Sequence, residues 1–188
     1  MRMKANKDKK IIILEGPSGV GKDTIINLLL KKYPKYFSHV ISTTTRPMRS
    51  NESQGNPYYF VDDATFEKMY NEGQFFERTE RHGTKRAMSK KAFEEALEKS
   101  MYPIKDCDKF GLAALKNIYG DKVIGIFLSA PKAEIEKRLK DRGESPENMK
   151  IRLANYDEHM KQAKEYDYQV ENLDIKRALE EILKIILK

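Results

Sequence analysis

Seven consecutive residues near the start of the chain, Gly16-Pro17-Ser18-Gly19-Val20-Gly21-Lys22, have the types and spacing of a loop that holds phosphate. Glycine lets successive backbone N–H groups turn toward one anion, and Lys22 adds a full positive charge. Such a loop works only between a strand and a helix, whose first N–H groups then also point at the phosphates. The flanks supply both. Ile11–Glu15 is a short β-branched run, and from Lys22 onward Ile25, Ile26, Leu28, Leu29 and Leu30 form a helical apolar face that stops before Pro34. The expected nucleoside triphosphate site is therefore Gly16, Pro17, Ser18, Gly19, Val20, Gly21, Lys22, Asp23 and Thr24. After the lysine the pattern wants a Ser or Thr hydroxyl for Mg²⁺, but here Asp23 stands there, followed by Thr24. A carboxylate is a good Mg²⁺ ligand, so both residues are metal candidates.

A second set of anion-binding types follows. Ser42-Thr43-Thr44-Thr45-Arg46-Pro47-Met48-Arg49 packs hydroxyls and two arginines ahead of a loop, and Arg46 and Arg49 can form a fork for another anion. Carboxylates recur at Glu77, Asp106 and Asp108. Arg138 and Arg142 are four residues apart on one helical stretch, with Arg152 beyond.

Taken together, these residues resemble the guanylate kinase family. That family carries S-x-T-T-R-x-P-R and then G-E-x-x-G-x-x-Y-x-F-V; Ser42, Thr44, Thr45, Arg46, Arg49, Glu52, Gly55, Tyr58, Phe60 and Val61 match, with the proline moved to position 47. Gly73-x-Phe75-x-Glu77 matches G-x-F-x-E. Asp106-x-Asp108-x-Phe110-Gly111 matches D-x-D-x-Q-G, with Phe110 replacing glutamine. Arg138-Leu139-x-x-Arg142-Gly143, Arg152-Leu153, Tyr166-Asp167-Tyr168 and Asn172 match the arginine-bearing lid and the segment near the end. The resemblance runs over about residues 10–188. It implies transfer of a phosphoryl group from ATP to GMP with Mg²⁺. It gives the acceptor phosphate to Arg46, Arg49 and Tyr58 and guanine N1 and N2 to Glu77 and Asp108. Ser42 joins the acceptor site and Asn172 the ATP site. Asp106 would support Mg²⁺ and its waters. Lys22, Arg46, Arg138, Arg142 and Arg152 would act on the transferring group, the last three closing over it.

One segment departs. After the glutamate the family has G-N-x-Y-G-T/S, where the tyrosine binds phosphate and the hydroxyl donates to guanine O6. Ungapped, Arg86 takes the tyrosine position and Met88 the hydroxyl position. Arg86 still suits phosphate; Met88 cannot donate a hydrogen bond. A shift of one residue would substitute Ser89, and a four-residue deletion would align His82-Gly83-Thr84 instead.

The elements that must position these groups alternate. Strands are expected at 11–15, 40–45, 58–61, 75–80, 101–107, 123–128 and 168–170. Helices are expected from 22, over 64–71, 89–100 with Ser89 as N-cap, and 111–118. Further helices start at Pro131 and at Pro146, the latter running to about 165, and one over 175–186 ends the chain. Alternation implies an α/β fold with a mainly parallel five-stranded sheet, that of a phosphate-loop kinase. Residues 42–99 break the rhythm and read as an inserted lobe that binds the monophosphate. The core is then about 10–41, 100–137 and 153–188, with a helical lid at about 138–152.

Composition sets bounds. The 188 residues carry 36 Lys+Arg against 29 Asp+Glu, a net charge of +7, and are 39% hydrophobic. That suits one soluble domain with an anionic partner. No run approaches the roughly 20 apolar residues of a membrane helix. Residues 1–10 are polar and aperiodic, without the apolar stretch of a secretory signal. The single cysteine, Cys107, excludes a disulfide framework and reads as core, and His39, His82 and His159 have no metal spacing. The expectation is a cytoplasmic enzyme with small-molecule partners, ATP and GMP, as monomer or homodimer, without nucleic acid or membrane. Three alternatives stay open. One is a kinase for another phosphorylated acceptor, such as a ribose bisphosphate, since kinases of that type share Gly-Lys-Asp in the loop. Another is an inactive guanylate-kinase-like module that binds phosphopeptides. The third is a nucleic-acid binder, favoured by the charge alone.

Overall fold

A computed structural model of the chain describes residues 9–50, 52–56, 58–81 and 83–188. The expectations for residues 1–8 and for His82 lie outside the described residues. Two sheets organise the chain. The larger is built from β1 (Ile11–Glu15), β2 (Phe37–His39), β7 (Tyr102–Asp106), β8 (Val123–Ser129) and β9 (Tyr168–Glu171), in the order β2-β7-β1-β8-β9, with every pairing parallel. The smaller has the order β4-β3-β6-β5, from β3 (Thr43–Thr44), β4 (Tyr59–Phe60), β5 (Phe75–Arg81) and β6 (Thr84–Ser89).

The larger sheet is parallel because helices cover both its faces. Residues in β1 alternate between them. Ile12 and Leu14 enter a core with Ile25 and Leu29 of α1 (Lys22–Lys32) and with Leu179, Ile182 and Ile186 of α8 (Ile175–Ile186). Ile11 and Ile13 face the other way, toward Phe93 of α3 (Lys90–Lys99) and Leu112 and Leu115 of α4 (Lys109–Tyr119). All four isoleucine and leucine side chains of β1 are at most 1% exposed, and each contributes about 1.5–3 kcal/mol by leaving water. Caps set the helix starts. Ser89 Oγ accepts from Ala92 N, Asp174 Oδ1 from Lys176 and Arg177 N, and Asp108 Oδ1 from Phe110 and Gly111 N.

The smaller sheet departs from the expected strands. The stretch 40–45 is not one strand: β2 ends at His39 in the larger sheet, and Thr43–Thr44 pairs with β4 and β6 in the smaller. The chain changes sheets between them. Strand β6 was not expected; its Lys85 and Arg86 hide the alternation. Its partner β5 runs antiparallel to it. Helix α2 (Asp63–Asn71) anchors this sheet through Lys85, whose Nζ lies 2.9 Å from Asp63 and 2.8 Å from Glu67. Those two carboxylates lift the Lys85 pKa to about 12. Beyond α5 (Lys132–Asp141), the helix expected from Pro146 to about 165 is divided into α6 (Pro146–Ala154), α7 (Tyr156–Lys161) and a 3-10 turn at Gln162–Glu165. Asn155, at φ −98° and ψ 10°, breaks it.

Packing is tight where α4 lies on β8. A Cβ on Gly125 would come 2.8 Å from Leu112 Cδ2 and 3.1 Å from Tyr166 Cδ1. Gly125→Ala is therefore expected to destabilise the fold by about 1–3 kcal/mol through overpacking. In a thermal melt the midpoint should fall by about 2–10 °C.

Candidate functional site

In open parallel sheets, ligands gather at the carboxyl ends of the strands. Glu15 ends β1 and Asp106 ends β7, and both line a cavity of about 640 Å³. The loop after β1 forms one wall with Gly16, Ser18 and Lys22, and Ser42 and Arg46 come from either side of β3 in the smaller sheet. Glu77, Thr79, Thr84 and Arg86 come from β5 and β6, and Lys105, Asp106, Cys107, Asp108, Lys109 and Phe110 from β7 and the start of α4. His159 and Gln162 line it from α7 and the 3-10 turn.

The loop has its shape because its glycines take conformations closed to other residues. Gly16 has φ +150° and Gly21 φ +106°; a Cβ on Gly16 would sit 2.2 Å from the Leu128 carbonyl oxygen, and one on Gly21 2.6 Å from Asn172 Nδ2. The Lys22 ammonium folds back to donate to the Gly16 carbonyl, at the mouth of its own loop. Asn172, 1% exposed, donates from Nδ2 to the Val20 carbonyl at 2.8 Å, locking the outer side of the loop. Pro17 and Val20 are buried beneath it.

Arg138 is held by partners within the chain. Its Nη1 donates to the Val20 carbonyl at 3.2 Å, its Nη2 to the Asn172 carbonyl at 2.6 Å, and its Nε to Glu134 Oε1 at 2.8 Å. These bonds hold the guanidinium against the carbonyls of Val20 and Asn172. Arg152 does reach the loop, donating from Nη1 to Ser18 Oγ at 2.8 Å while its Nε lies 3.4 Å from Glu144. Arg142 caps the end of α5 and is exposed.

After β3, Arg46 Nη2 donates to both oxygens of Glu52, at 2.7 and 2.9 Å, and Arg49 N donates to Glu52 Oε2 at 2.9 Å. The Arg46 hydrogen bond comes first among the contacts that hold the Glu52 carboxyl below its usual range. The Tyr58 ring lies between two guanidinium groups, 5.7 Å from Arg46 and 4.5 Å from Arg86. Arg49 is exposed and, like Tyr58, lies outside the cavity lining. Met88 also stays outside. It shares a strand face with Thr84 and Arg86 but is 0% exposed and packs with Ile13, Val40 and Phe93. Its apolar side chain is drawn under the sheet, so it cannot read a base. Ser89 is spent on capping α3. The hydroxyls that do line the cavity belong to Ser18, Ser42, Thr79 and Thr84.

The carboxylates differ in environment. Burial, then the neighbouring Asp108, pushes the Glu77 carboxyl above its ordinary value, against Lys105 and Arg86. Burial likewise raises Glu15, against Lys22. At Asp106 burial also favours the neutral acid, but Lys105, Lys22, His39 and Arg86 outweigh it and the pKa is lowered. Lys105 Nζ, on a side chain only 6% exposed, is 3.4 Å from Asp106 Oδ1. Burial drives the Cys107 thiol well up, as suits a packing residue. Asp23 and Thr24 are exposed in the first turn of α1, outside the cavity lining.

Sequence reading missed Glu15, Thr79, Lys105, Lys109, His159 and Gln162, and offered Thr84 only through the four-residue deletion that aligns His82-Gly83-Thr84. Period-two alternation from Glu77 finds Thr79, and the same alternation from Arg86 finds Thr84. Lys105 carried a signal too: a lysine inside an otherwise apolar strand. Nothing local marks His159 or Gln162, which a separate helix brings in.

The bonds of Arg138 predict its effect. Arg138→Ala should leave the Val20 and Asn172 carbonyls under-satisfied, at about 1–3 kcal/mol. Amide exchange at residues 19–22 should accelerate relative to the rest of β1 and α1.

Comparison with known proteins agrees with this geometry. The family model described as guanylate kinase matches residues 8–188. A guanylate kinase of Symbiobacterium thermophilum is 37% identical over 186 residues, covering 97% of this chain and 87% of that protein. One from Helicobacter pylori is 38% identical over 183 residues, covering 96% and 87%. The crystal structure of guanylate kinase from Anaplasma phagocytophilum superposes with a TM-score of 0.72 at 26% identity, over 95% of this chain and 85% of that one. With its phosphate loop, its arginine-lined acceptor wall and its parallel sheet, the chain belongs to the guanylate kinase family.

Proposed function

We propose that this chain is an ATP-dependent nucleoside monophosphate kinase that moves the γ-phosphoryl group of ATP to GMP, giving ADP and GDP. The observation that carries the reading is a single cavity lined at once by the phosphate loop, by Arg46 and Arg86, and by the carboxylates Glu77 and Asp108. ATP phosphates lie on the loop's N–H groups and Lys22. The GMP phosphate lies on the Arg46 and Arg86 wall, with Arg49 and Tyr58 closing on it. Glu77 and Asp108 accept from guanine N1–H and N2–H₂. The donor to guanine O6 comes from a lining hydroxyl, Ser42, Thr79 or Thr84, and not from Met88.

In transfer, a GMP phosphate oxygen forms a bond to the γ-phosphorus, and the bond to the β,γ-bridging oxygen breaks toward ADP. This chemistry needs alignment and charge neutralisation more than a protein nucleophile. Lys22 meets charge on the β- and γ-oxygens. Arg152, already on Ser18, swings over the same oxygens, joined by Arg142 as the 138–152 segment closes. Arg138 steadies the loop from behind. Residues 42–99 move toward the core at about 10–41, 100–137 and 153–188, excluding water.

Mg²⁺ fits the residues present. Among the described residues no group of three or more His, Cys, Asp or Glu side chains forms a cage, and Mg²⁺ beside phosphates needs only one or two carboxylates plus phosphate oxygens and waters. Asp106, kept ionised by Lys105 and Lys22, would hold it, with Asp23 or Thr24 of α1 as the alternative. Bound there, the ion supplies further neutralisation of the β- and γ-phosphates. One chain holds every group invoked, as a monomer or in each half of a homodimer, and a cytoplasmic setting supplies both nucleotides. No helix among the described residues is long and apolar enough to cross a membrane.

Coupled ADP release with ATP and a panel of GMP, dGMP, AMP, UMP, CMP and ribose bisphosphate tests the reading. GMP should be the best acceptor; preference for ribose bisphosphate, or no turnover with any nucleotide, overturns it. Adenine lacks both donors that the carboxylates require, so AMP should be rejected.

A pH dependence follows from Glu77. Its carboxyl titrates above its ordinary value, and the ionised form accepts from guanine N1–H more strongly than the acid does. Specificity, kcat/KM for GMP, should therefore rise as pH rises through the Glu77 value. The GMP phosphate has its own ionisation near pH ~6, so the Glu77 limb is the one that Glu77→Gln lacks. The same variant should lose about 1.5–3 kcal/mol of acceptor binding. A GMP profile unchanged in shape by Glu77→Gln contradicts the assignment.

A further inference from the structure

We propose that Phe110 stacks on the base of the acceptor nucleotide. The inference rests on the reading of this cavity as a nucleoside monophosphate site. It adds a residue with no role so far, at the position where the family pattern has glutamine.

Phe110 is 71% exposed, the largest exposure among the big apolar side chains of the described residues. It packs against no other aromatic ring among them; its one ring contact is Lys109 Nζ, 5.4 Å from the centroid. Yet it lines the cavity, and it is the one phenyl or phenol ring to do so among the described residues. An apolar ring held in water at the rim of a polar site has its gain in burial still to make.

The backbone shows that the ring is placed. Phe110 is the second residue of α4, and its N–H donates to Asp108 Oδ1 at 3.0 Å; the same oxygen accepts from Gly111 N at 3.1 Å. The cap that fixes the Asp108 carboxylate therefore also fixes the start of the Phe110 side chain. Gly111 keeps the neighbouring carboxylate close: a Cβ there would be 3.6 Å from Glu77 Cδ. Both edge-reading carboxylates and the ring thus meet at one helix start. A planar base held along its edge by Glu77 and Asp108 has its faces left to cover, and Phe110 projects from the turn beside that edge. Stacking tolerates any base, because every base has a π-face. Phe110 then supplies affinity while the carboxylates supply discrimination.

The chain contains no tryptophan, so Phe110→Trp installs a sole fluorescent reporter at the rim. GMP should quench its emission saturably, over the range of its KM, and ATP alone should not. Phe110→Ala should raise the KM for GMP about tenfold, as expected for loss of one stacked base. The KM for ATP and inhibition by ribose 5-phosphate, which has no base, should be unchanged, and Phe110→Tyr should restore the wild-type value. An exposed site makes misfolding an unneeded explanation, and unchanged melting of each variant checks that. Trp emission that ignores GMP, or an unaltered KM in Phe110→Ala, or equal weakening of ribose 5-phosphate, overturns the proposal. Failure of the functional reading looks different: the wild-type chain would not turn over GMP. The same quenching and KM measurements, made with the nucleotide it does phosphorylate, would then decide the stacking.

Discussion

The phosphate loop can work only if its N–H groups converge on one point, and the surrounding fold is arranged to enforce that backbone. Gly16 passes so close to the Leu128 carbonyl that a Cβ would lie 2.2 Å from it. This contact ties the loop to β8, the strand beside β1, so the loop inherits the rigidity of the parallel sheet. On the outer side the Val20 carbonyl is held by Asn172 and Arg138, from the end of β9 and from α5. Three elements far from the loop in sequence thus converge on five or six residues of its main chain. Donors fixed in this way need no reorganisation when charge develops on a phosphate, which is the advantage of a preorganised site.

Around that loop the cavity sets charges of both signs against one another. Glu15, Glu77, Asp106 and Asp108 face Lys22, Lys105, Arg46 and Arg86. The buried Lys105 is costly to desolvate, and its closeness to Asp106 compensates in part. The same ammonium opposes the rise in Glu77 that burial imposes. Arg46, meanwhile, is already paired with Glu52, both carboxylate oxygens accepting from Nη2, while Nη1 donates to the Pro47 carbonyl. The plane of that guanidinium is thus set by the protein, and little rotamer freedom would remain to be lost on binding an anion.

How much of this was legible in the sequence depends on how local each signal was. The phosphate loop, β1 and α1 were readable because glycine spacing, a β-branched run and helical periodicity all lie within twenty residues. The five-stranded sheet followed from the alternation of elements. The smaller sheet was harder: its strands β3 and β4 span two residues each, too short for periodicity, and β6 mixes charged with buried positions. Met88 was misplaced because a motif position was assumed to face the ligand, whereas burial under the sheet decided its orientation. The contacts of Arg138 were not legible for a related reason: helical spacing puts it beside Arg142 and Glu134, but the Val20 and Asn172 carbonyls, from other parts of the chain, help to set where its guanidinium points. Motif positions within the loop carried their own geometry; those set by tertiary partners did not.

The central claim is that both nucleotides occupy one cavity with their phosphates in line between Lys22 and Arg46. Titration calorimetry with a compound joining adenosine and guanosine through five phosphates addresses this directly. If the claim holds, the joined ligand should bind at one site per chain. It should bind at least a hundredfold more tightly than ATP or GMP alone, because the second nucleotide is delivered at the high effective concentration of a short tether. ATP and GMP should each displace it. Affinity no better than that of ATP alone, or displacement by only one of the two, would contradict a shared cavity.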